Sequence, residues 1–278
     1  MNINWYPGHM KKTKEEIQKN LKLVDIVLEI IDARIPLSSS NPLISEITGE
    51  KAKLIIMNKE DLADPVENDK WIKRFEDEGI KAIKMNSKEP INAKNLYNIS
   101  KNILKDKFDK NKEKNIENKN IRMMVVGVPN SGKSTFINNM SRKKKTKVGN
   151  RPGVTQQKQW IKTKANIDFL DTPGVLWPKL EGNTGIHLSF TNAIKDKVVN
   201  IEDLCLKFID FLKENYPQNI EKRYGVDSTQ RALKIYEEIG LKRGALIRKG
   251  EVDYTRAANI ILNDFRVGKL GRISIEKA

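Results

Sequence analysis

Residues 127–135 read Gly-Val-Pro-Asn-Ser-Gly-Lys-Ser-Thr, a glycine followed after four residues by Gly-Lys-Ser. An apolar run that begins at Ile121 leads into this stretch, and the helix-competent residues 135–140 follow it. In such a loop the glycines let backbone N–H groups point inward at a phosphate, at the positive end of the helix dipole. The stretch therefore predicts an α/β fold with a phosphate-binding loop between a strand and a helix.

The side chains of this loop suit a nucleotide phosphate chain and its metal ion. Lys133 would neutralise the β- and γ-phosphates, and the Ser134 hydroxyl would be a ligand of Mg²⁺. The residues that we predict to contact the phosphates are Asn130, Ser131, Gly132, Lys133, Ser134 and Thr135. The loop leaves the base undecided, because the same pattern binds ATP and GTP.

A second motif could read the base. The residues directly after the apolar run 54–57 are Asn58, Lys59, Glu60 and Asp61. The Asp61 carboxylate can accept hydrogen bonds from the guanine N1–H and the exocyclic amine, which adenine lacks. Asn58 would bond the other edge of the ring, and the Lys59 stem would pack over its face. Four residues alone are a weak signal. Because they directly follow a predicted strand and the chain also contains a phosphate loop, they predict that the nucleotide is GTP.

Two residues after the third apolar run, 80–85, could also contact the base. These are Asn86 and Ser87, which would use the backbone and the serine hydroxyl. An ordinary turn is the alternative for this pair.

The metal ion and the γ-phosphate have candidate partners further along the chain. Asp171 follows the apolar run 167–170 and could hold Mg²⁺ through water, while the Gly174 N–H could meet the γ-phosphate. Thr155, in the loop 151–155, could complete the Mg²⁺ shell. Each segment alone could be an ordinary turn, but all of them together favour one GTP site.

The pattern of apolar residues predicts two domains. Strand-like runs alternate with helical spacing, as in the helix expected from Pro65 and the pattern over 92–108, which indicates a parallel sheet covered by helices. After about Asn183 the pattern is helical only. We predict a sheet domain over 1–182, with an exposed connector over 105–120, and a small all-α domain over 183–278.

Composition and charge restrict the partners. The chain has 278 residues and one cysteine, and it carries no apolar run near the ~20 residues of a membrane span and no secretion signal, so we expect a cytoplasmic protein without a membrane partner. The net charge of +16 is concentrated in residues 101–164, which hold eighteen basic and four acidic side chains. Such a field is typical of a polyanion binder. A solvated lysine-rich loop is the alternative.

One cluster within this region stands out as a candidate for contact with RNA. It consists of Arg142, Lys143, Lys144, Lys145 and Lys147.

The motifs stand in an unusual order. In an ordinary GTPase the phosphate loop precedes the base-reading motif, whereas here residues 58–61 and 86–87 precede residues 127–135. Circular permutation explains this order, since joined ends and newly opened ends can both lie at the surface. The connector 105–120 is then the expected join. The predicted fold is a circularly permuted P-loop GTPase domain, with a parallel sheet flanked by helices, followed by the all-α domain.

The sequence resembles the circularly permuted GTPases, and among them the bacterial ribosome biogenesis GTPase A family. The stretches that carry the resemblance are Trp5–Met10, Asp32–Pro36, Asn58–Asp61, residues 127–135, Arg151–Thr155, Asp171–Pro178 and Asp264–Gly271. The resemblance implies late assembly of the large (50S) ribosomal subunit, through contacts with rRNA and ribosomal proteins, and GTP hydrolysis stimulated by the subunit.

The resemblance also suggests how water is activated. Many small GTPases place a glutamine after the Asp-x-x-Gly motif to orient water, but Val175 stands here. The matched segment implies His9 as the water-positioning group, whose imidazole titrates near neutral pH. The alternative is that His9 anchors the N-terminus or touches RNA. In related GTPases an asparagine at the place of Asn130 can help to bind a monovalent cation, which makes K⁺ a second candidate cofactor.

Two other functions are alternatives. One is an RNA-binding scaffold that holds GTP with negligible turnover, which Val175 leaves open. The other is a GTPase in RNA modification, although no cysteine-rich or redox site for such chemistry is present in the sequence.

Overall fold

Six strands in the described part of the chain form one sheet. The computed structural model describes residues 10–114, 120–141, 159–163, 165–172, 174, 176 and 180–278. The strands are β1 (Ile26–Asp32), β2 (Lys53–Asn58), β3 (Lys81–Met85), β4 (Ile121–Val126), β5 (Gln159–Lys162) and β6 (Ile167–Asp171).

The sheet has the strand order β3-β2-β1-β4-β6-β5 and is parallel except for β5, which runs antiparallel to β6. All seven residues of β1 are buried. Alternate side chains point to opposite faces, so Leu28 and Ile30 belong to one apolar cluster and Ile31 to another. A strand buried on both faces is expected to be apolar throughout, as this one nearly is.

The topology places the candidate site. After β3 at one edge of the sheet, the chain passes back beyond β2 and β1 and adds β4 on the far side of β1. Parallel strands present their carboxyl ends at the same edge, and ligands bind where the direction of winding changes. The loops after β1, β2, β4 and β6 therefore meet at this edge. The strand that precedes the phosphate loop comes fourth in the chain but lies in the centre, which confirms the permuted fold.

Helices cover the sheet on both sides. Those of the first 140 residues are α1 (Met10–Leu21), α2 (Pro36–Ser39), α3 (Pro42–Thr48), α4 (Pro65–Asp77), α5 (Ala93–Ile103), α6 (Lys105–Glu113) and α7 (Lys133–Met140). The helix expected from Pro65 is confirmed as α4. The Asp64 carboxylate caps its first turn by accepting from Val66 N at 2.8 Å. Its apolar stripe buries Trp71 and Phe75.

The predicted connector begins with a helix. Its first nine residues form α6, and the helical pattern expected over 92–108 is divided between α5 and α6 at Leu104. The reason is Phe108, which is buried against the sheet and gives this charged segment one apolar anchor. The remaining side chains of α6 are mostly exposed, and residues 115–119 lie outside the described part of the chain.

The last hundred residues are largely helical, as expected. The helices are α8 (Thr184–Phe190), α9 (Ile201–Asn215), α10 (Pro217–Tyr224), α11 (Ala232–Lys242) and α12 (Tyr254–Arg266). Leu204, Phe208 and Phe265 lie in their shared core, which also takes in Ile35 and Val128 from the sheet domain. Because this core is continuous, the domain boundary between residues 182 and 183 stays a prediction. Among the described helices, none is long and apolar enough to cross a membrane.

The final twelve residues are not helical. Residues 267–278, which we name the C-terminal segment, leave α12 and return to the sheet domain, where Ile275 N donates to Arg34 O at 2.9 Å. Ile273 and Ser274 are fully buried in this segment. The helices predicted for this region therefore do not continue to residue 278, because the backbone N–H groups of Ile273, Ile275 and Glu276 donate to carbonyls of the sheet domain instead.

Candidate nucleotide-binding site

The phosphate loop is shaped by two glycines with positive φ. Gly127 has φ +148°, and a Cβ there would lie 2.3 Å from Ile30 O on the neighbouring strand. Gly132 has φ +101°, and a Cβ there would lie 2.1 Å from Asn58 Nδ2. Both positions therefore exclude larger residues, because the backbone conformation and the space forbid a side chain.

Lys133 begins α7 with its ammonium turned into this loop. Its Nζ donates to Gly127 O at 3.1 Å and to Val128 O at 3.2 Å, and the residue is buried. Burial lowers the pKa of Lys133 to about 8, although Asp171 opposes the change. The loop thus holds a concentrated positive charge where the phosphates are expected.

Asp171 ends β6 beside the same loop. It is buried, and its Oδ2 has no hydrogen-bond partner among the residues that the structure describes. Burial raises the pKa of Asp171 to about 6, against the influence of Lys133. A buried carboxylate oxygen without a partner is a suitable oxygen donor for a hydrated Mg²⁺, and the half-buried Ser134 at the start of α7 can supply the hydroxyl.

Gly174 lies against the phosphate loop. A Cβ at this position would lie 3.0 Å from Lys133 Nζ and 3.1 Å from the Pro129 backbone. The Thr172 hydroxyl, two residues earlier, donates to Val125 O at 2.7 Å and so ties the end of β6 to β4. The structure thus brings the Asp-x-x-Gly segment and the phosphate loop together, as the sequence predicts.

Asn58 joins two loops from opposite halves of the chain. Its Nδ2 donates to Ser131 O at 2.7 Å, and its Oδ1 accepts from Ser87 N at 3.0 Å. The residue is buried. We predicted that Asn58 bonds an edge of the base, but both polar atoms of its amide are engaged with the protein. Its observed work is to hold the phosphate loop beside the 86–87 turn.

Lys59 is also turned toward the protein. Its Nζ donates to Asp32 Oδ2 at 2.8 Å and to Asn130 O at 2.6 Å. These contacts direct the ammonium to the phosphate loop, and burial lowers the pKa of Lys59, against the attraction of Asp32. The packing of the Lys59 stem over the base stays a prediction.

Asp32, at the end of β1, was missed as a site residue. Arg34 donates to both oxygens of its carboxylate, from Nε at 2.9 Å and from Nη2 at 2.8 Å. Lys59 Nζ also donates to this carboxylate, at 2.8 Å. Burial favours the neutral acid, but the charges of Arg34 and Lys59 outweigh it and hold the pKa of Asp32 well below its usual range. The available signal was the position of this carboxylate at the carboxyl end of β1, the strand next to β4.

Asp61 lies in the turn of residues 59–63, which we name the Asp61 turn. A short 3₁₀ helix, Glu60–Leu62, forms it after Lys59, whose φ is +62°. Asp61 is half-buried, and within the described residues its carboxylate takes part in no hydrogen bond or ion pair. In contrast to Asp32, it therefore has both oxygens available for a ligand.

The 86–87 turn is organised by its own side chains and by α7. Asn86 Oδ1 accepts from Lys88 N at 3.0 Å, and the buried Ser87 hydroxyl has no partner among the described residues. Asn139 Nδ2 donates to Ser87 O at 3.2 Å and contacts Glu89 O as well. Asn139 was not anticipated, because nothing in its local sequence distinguishes it from other polar helix residues.

Asn130 connects the phosphate loop to the helical region. It has φ +59°, and its Nδ2 donates to Asn192 O in the loop after α8. Its proposed contact with K⁺ stays a prediction. The other predicted phosphate contacts, Ser131 and Thr135, lie in the loop and on the first turn of α7.

Several predicted residues lie outside the described part of the chain. They are His9, Thr155, Val175 and the basic cluster Arg142, Lys143, Lys144, Lys145 and Lys147. The other histidine, His187, lies on α8, where its Nδ1 is 2.9 Å from Glu276 Oε1 and 3.0 Å from the Ser38 hydroxyl. These contacts engage its ring with α2 and the C-terminal segment.

Comparison with known proteins gives a consistent result. Residues 122–239 match the family described as 50S ribosome-binding GTPase. A ribosome biogenesis GTPase A of Bacillus licheniformis is 43% identical over 279 residues, covering 100% of this chain and 99% of the relative. The corresponding protein of Bacillus pumilus is 42% identical with the same coverage. That of Thermotoga maritima is 31% identical, covering 99% and 94%.

Two solved structures share the fold. A GDP-bound YlqF superposes with a TM-score of 0.66 at 25% identity, covering 94% of this chain and 98% of the other. A GNP-bound YlqF from T. maritima gives 0.65 at 25% identity, with coverages of 96% and 98%. Full-length identity above 40%, the permuted sheet and the joined loops agree. The chain therefore belongs to the ribosome biogenesis GTPase A family, a family of GTP hydrolases.

Proposed function

We propose that this chain acts in late assembly of the large (50S) ribosomal subunit, where it binds the precursor particle and hydrolyses GTP. The observation that carries the GTP site is the Asn58 bridge. It joins the phosphate loop to the 86–87 turn across the permuted chain, with Asn58 bonded to Ser131 O and Ser87 N at 2.7 and 3.0 Å. The family and the excess of positive charge over 101–164 support the ribosomal partner.

The phosphate end of the site would bind and orient the γ-phosphate. Lys133 would turn from the carbonyls of its own loop to the β- and γ-oxygens, and the Gly174 N–H would meet the γ-phosphate. Ser134 and Thr155 would hold Mg²⁺ by their hydroxyls and Asp171 through water. When bound, Mg²⁺ would offset the negative charge that develops on the phosphate oxygens.

Hydrolysis requires that a water molecule be held in line with the γ-phosphate. Val175 has no hydrogen-bonding group for this task, and His9 is our candidate. Asn130 would contribute to a K⁺ site, whose charge would replace that of an arginine finger. The ribosomal subunit would stimulate turnover by ordering these groups, and turnover that is equal in Na⁺ and K⁺ would remove the K⁺ site from the proposal.

The base end would select guanine through Asp61. Among the described residues, its carboxylate makes no bond to a protein group. In the chain, Asp61 closely follows Asn58, whose side chain bonds to the 86–87 turn. Replacement of Asp61 by Asn should shift preference from guanosine to xanthosine nucleotides, because the new amide donates where the carboxylate accepted. Unchanged GTP affinity in this variant would contradict the assignment.

The ribosomal partner is tested by co-sedimentation. Protein loaded with a non-hydrolysable GTP analogue should pellet with large-subunit precursors and not with small subunits. The substitutions Lys143→Glu, Lys144→Glu and Lys145→Glu together should weaken this binding, and more so at raised salt. A control triple change of exposed lysines on α6, at Lys105, Lys110 and Lys112, separates the local patch from total charge.

The same particles separate this function from a GTP-holding scaffold. Our proposal predicts that GTP turnover rises when large-subunit precursors are added, whereas a scaffold would bind them without turnover. Binding to neither subunit would overturn the ribosomal role and leave the GTP site intact. Because ribosomal subunits are assembled in the bacterial cytoplasm, the protein would act there.

A further inference from the structure

The C-terminal segment packs against the Asp61 turn. Its Gly268 has φ +82°, and a Cβ there would lie 2.7 Å from Leu62 Cδ2, so the segment approaches the turn closely. Ile273 N donates to Leu62 O at 2.9 Å. Residues more than two hundred positions later in the chain thus contact the turn that carries Asp61.

Arg272 secures the two ends of this turn. Its Nε donates to Ala63 O at 2.8 Å, and its Nη2 donates to Glu60 O at 2.9 Å. Together with the bond from Ile273 N, the segment therefore satisfies the carbonyls on both sides of Asp61. A planar guanidinium is suited to this task, because its donors are held in a rigid fork.

The segment is itself firmly anchored, so it can position the turn. Ser274 is buried, and its hydroxyl accepts from Asp64 N at 3.1 Å while its carbonyl accepts from Tyr216 OH at 3.2 Å. Further along, the Glu276 carboxylate accepts from Leu37 N at 2.7 Å. The segment therefore connects the helical domain to two loops at the carboxyl edge of the sheet.

We propose that Arg272 is a positioning residue for guanine selection, which acts by fixing the Asp61 turn from the helical domain. The inference rests on the proposed role of Asp61. With the turn fixed, the Asp61 carboxylate is held ready for the guanine N1–H and amine. By linkage, guanine nucleotide in turn stabilises the docked C-terminal segment, because each favours the same arrangement of the turn.

The test measures discrimination between bases, and not only affinity. Arg272→Ala should raise the Kd for GDP about tenfold, because the turn that carries Asp61 loses two of its bonds and is no longer held in one arrangement. It should raise the Kd for IDP less, because inosine lacks the amine that Asp61 accepts from. The GDP preference over IDP therefore falls. Arg272→Lys should restore part of the preference, since one ammonium can reach one carbonyl.

The matched control is Lys277→Ala in the same segment. Lys277 bonds to Asn215 on α9 and makes no bond to the Asp61 turn. Its removal should leave both affinities unchanged. Circular dichroism and thermal unfolding of each variant verify the fold.

The outcomes separate this inference from the one on which it rests. If Asp61→Asn leaves guanine preference unchanged, the base-reading role itself fails. If Asp61→Asn abolishes the preference while Arg272→Ala keeps the full GDP-to-IDP ratio, the positioning role of Arg272 is overturned. An equal loss of affinity for GDP and IDP would also overturn it, because general destabilisation lowers both alike.

Discussion

The phosphate loop and the Asp61 turn hold opposite ends of the same proposed ligand, but they are built differently. Lys133 bonds to carbonyls only five and six residues earlier in the chain. In the Asp61 turn, the carbonyls of Ala63 and Glu60 accept from Arg272, which lies 209 and 212 residues later in the chain. The bonds that orient Lys133 are thus local, whereas the bonds from Arg272 to the Asp61 turn come from a distant segment. A change in the C-terminal segment should therefore act directly on the base end.

The largest effect should come from the local end. Lys133→Met should raise the Kd for GDP about a thousandfold, or about 4 kcal/mol, because the buried cation that would pair with the phosphates is lost. Isothermal titration measures the affinity, with Lys112→Met on the exposed face of α6 as control. A loss of less than tenfold would contradict the central role of Lys133.

A second prediction tests the distant ties through Arg34. Arg34 is buried, grips Asp32 and lies 4.7 Å over the Phe265 ring of α12. Arg34→Met should lower the free energy of unfolding by about 3 kcal/mol, because the Asp32 carboxylate loses its bidentate partner. Urea unfolding measures the loss, and Arg256→Met on the exposed side of α12 serves as control.

The same variant has a signature in pH. The pKa of Asp32 is held below its unfolded value of about 3.9, so its contribution to stability is full above that pH and is lost as the pH falls toward the folded pKa. In Arg34→Met, burial would dominate and raise the folded pKa. With the folded pKa above the unfolded one, protonation of Asp32 on acidification would stabilise the variant, so the difference in unfolding free energy between the two proteins should shrink as the pH falls. Parallel pH profiles of the two proteins would contradict this explanation.

A smaller effect is expected where the two ends meet. Asn58→Ala removes one bond to the phosphate loop and one to the 86–87 turn, and it leaves Ser87 N and Ser131 O without these partners. The free energy of unfolding should fall by about 2 kcal/mol. Nucleotide affinity should fall with it, since the loops are no longer joined. If affinity falls while stability does not, Asn58 contacts the base as the sequence first suggested.

The smallest effect should come from Asn139, which supports the 86–87 turn from the surface. Asn139→Ala should cost about 1 kcal/mol of nucleotide binding, the value of one neutral hydrogen bond. Asn102→Ala, on the exposed face of α5, is the control. An effect as large as that of Asn58→Ala would show that the turn depends on α7 more than on the Asn58 bridge.

Much of the fold was predictable because its signals are local. The strands are short apolar runs, and α4 begins where Asp64 and Pro65 supply a cap and a first helical residue. The order of the motifs was enough to predict the permutation. The break at Leu104 and the burial of Phe108 were not predictable, because a lone aromatic residue in a charged stretch reveals its partner only in the folded structure.

The site divides in the same way. The phosphate loop, Asp171 and Gly174 could be recognised from short patterns, since each pattern reflects backbone geometry within a few residues. The engagement of Asn58 and Lys59 with protein atoms could not, because their partners Ser131, Ser87 and Asp32 come from other strands and loops. Similar reasoning applies to Asp32, whose low pKa depends on two cations that only the fold brings to it.

Short-range chemistry in the chain was therefore sufficient for the class of fold, its permuted order and the identity of the nucleotide. Folding added the arrangement that turns separate motifs into one site, from the Asn58 bridge to the Arg272 contacts with the Asp61 turn. The physical reason is distance along the chain. A glycine turn or a helix cap is specified by neighbours, whereas a hydrogen bond across two hundred residues forms only after the hydrophobic core has brought its partners together.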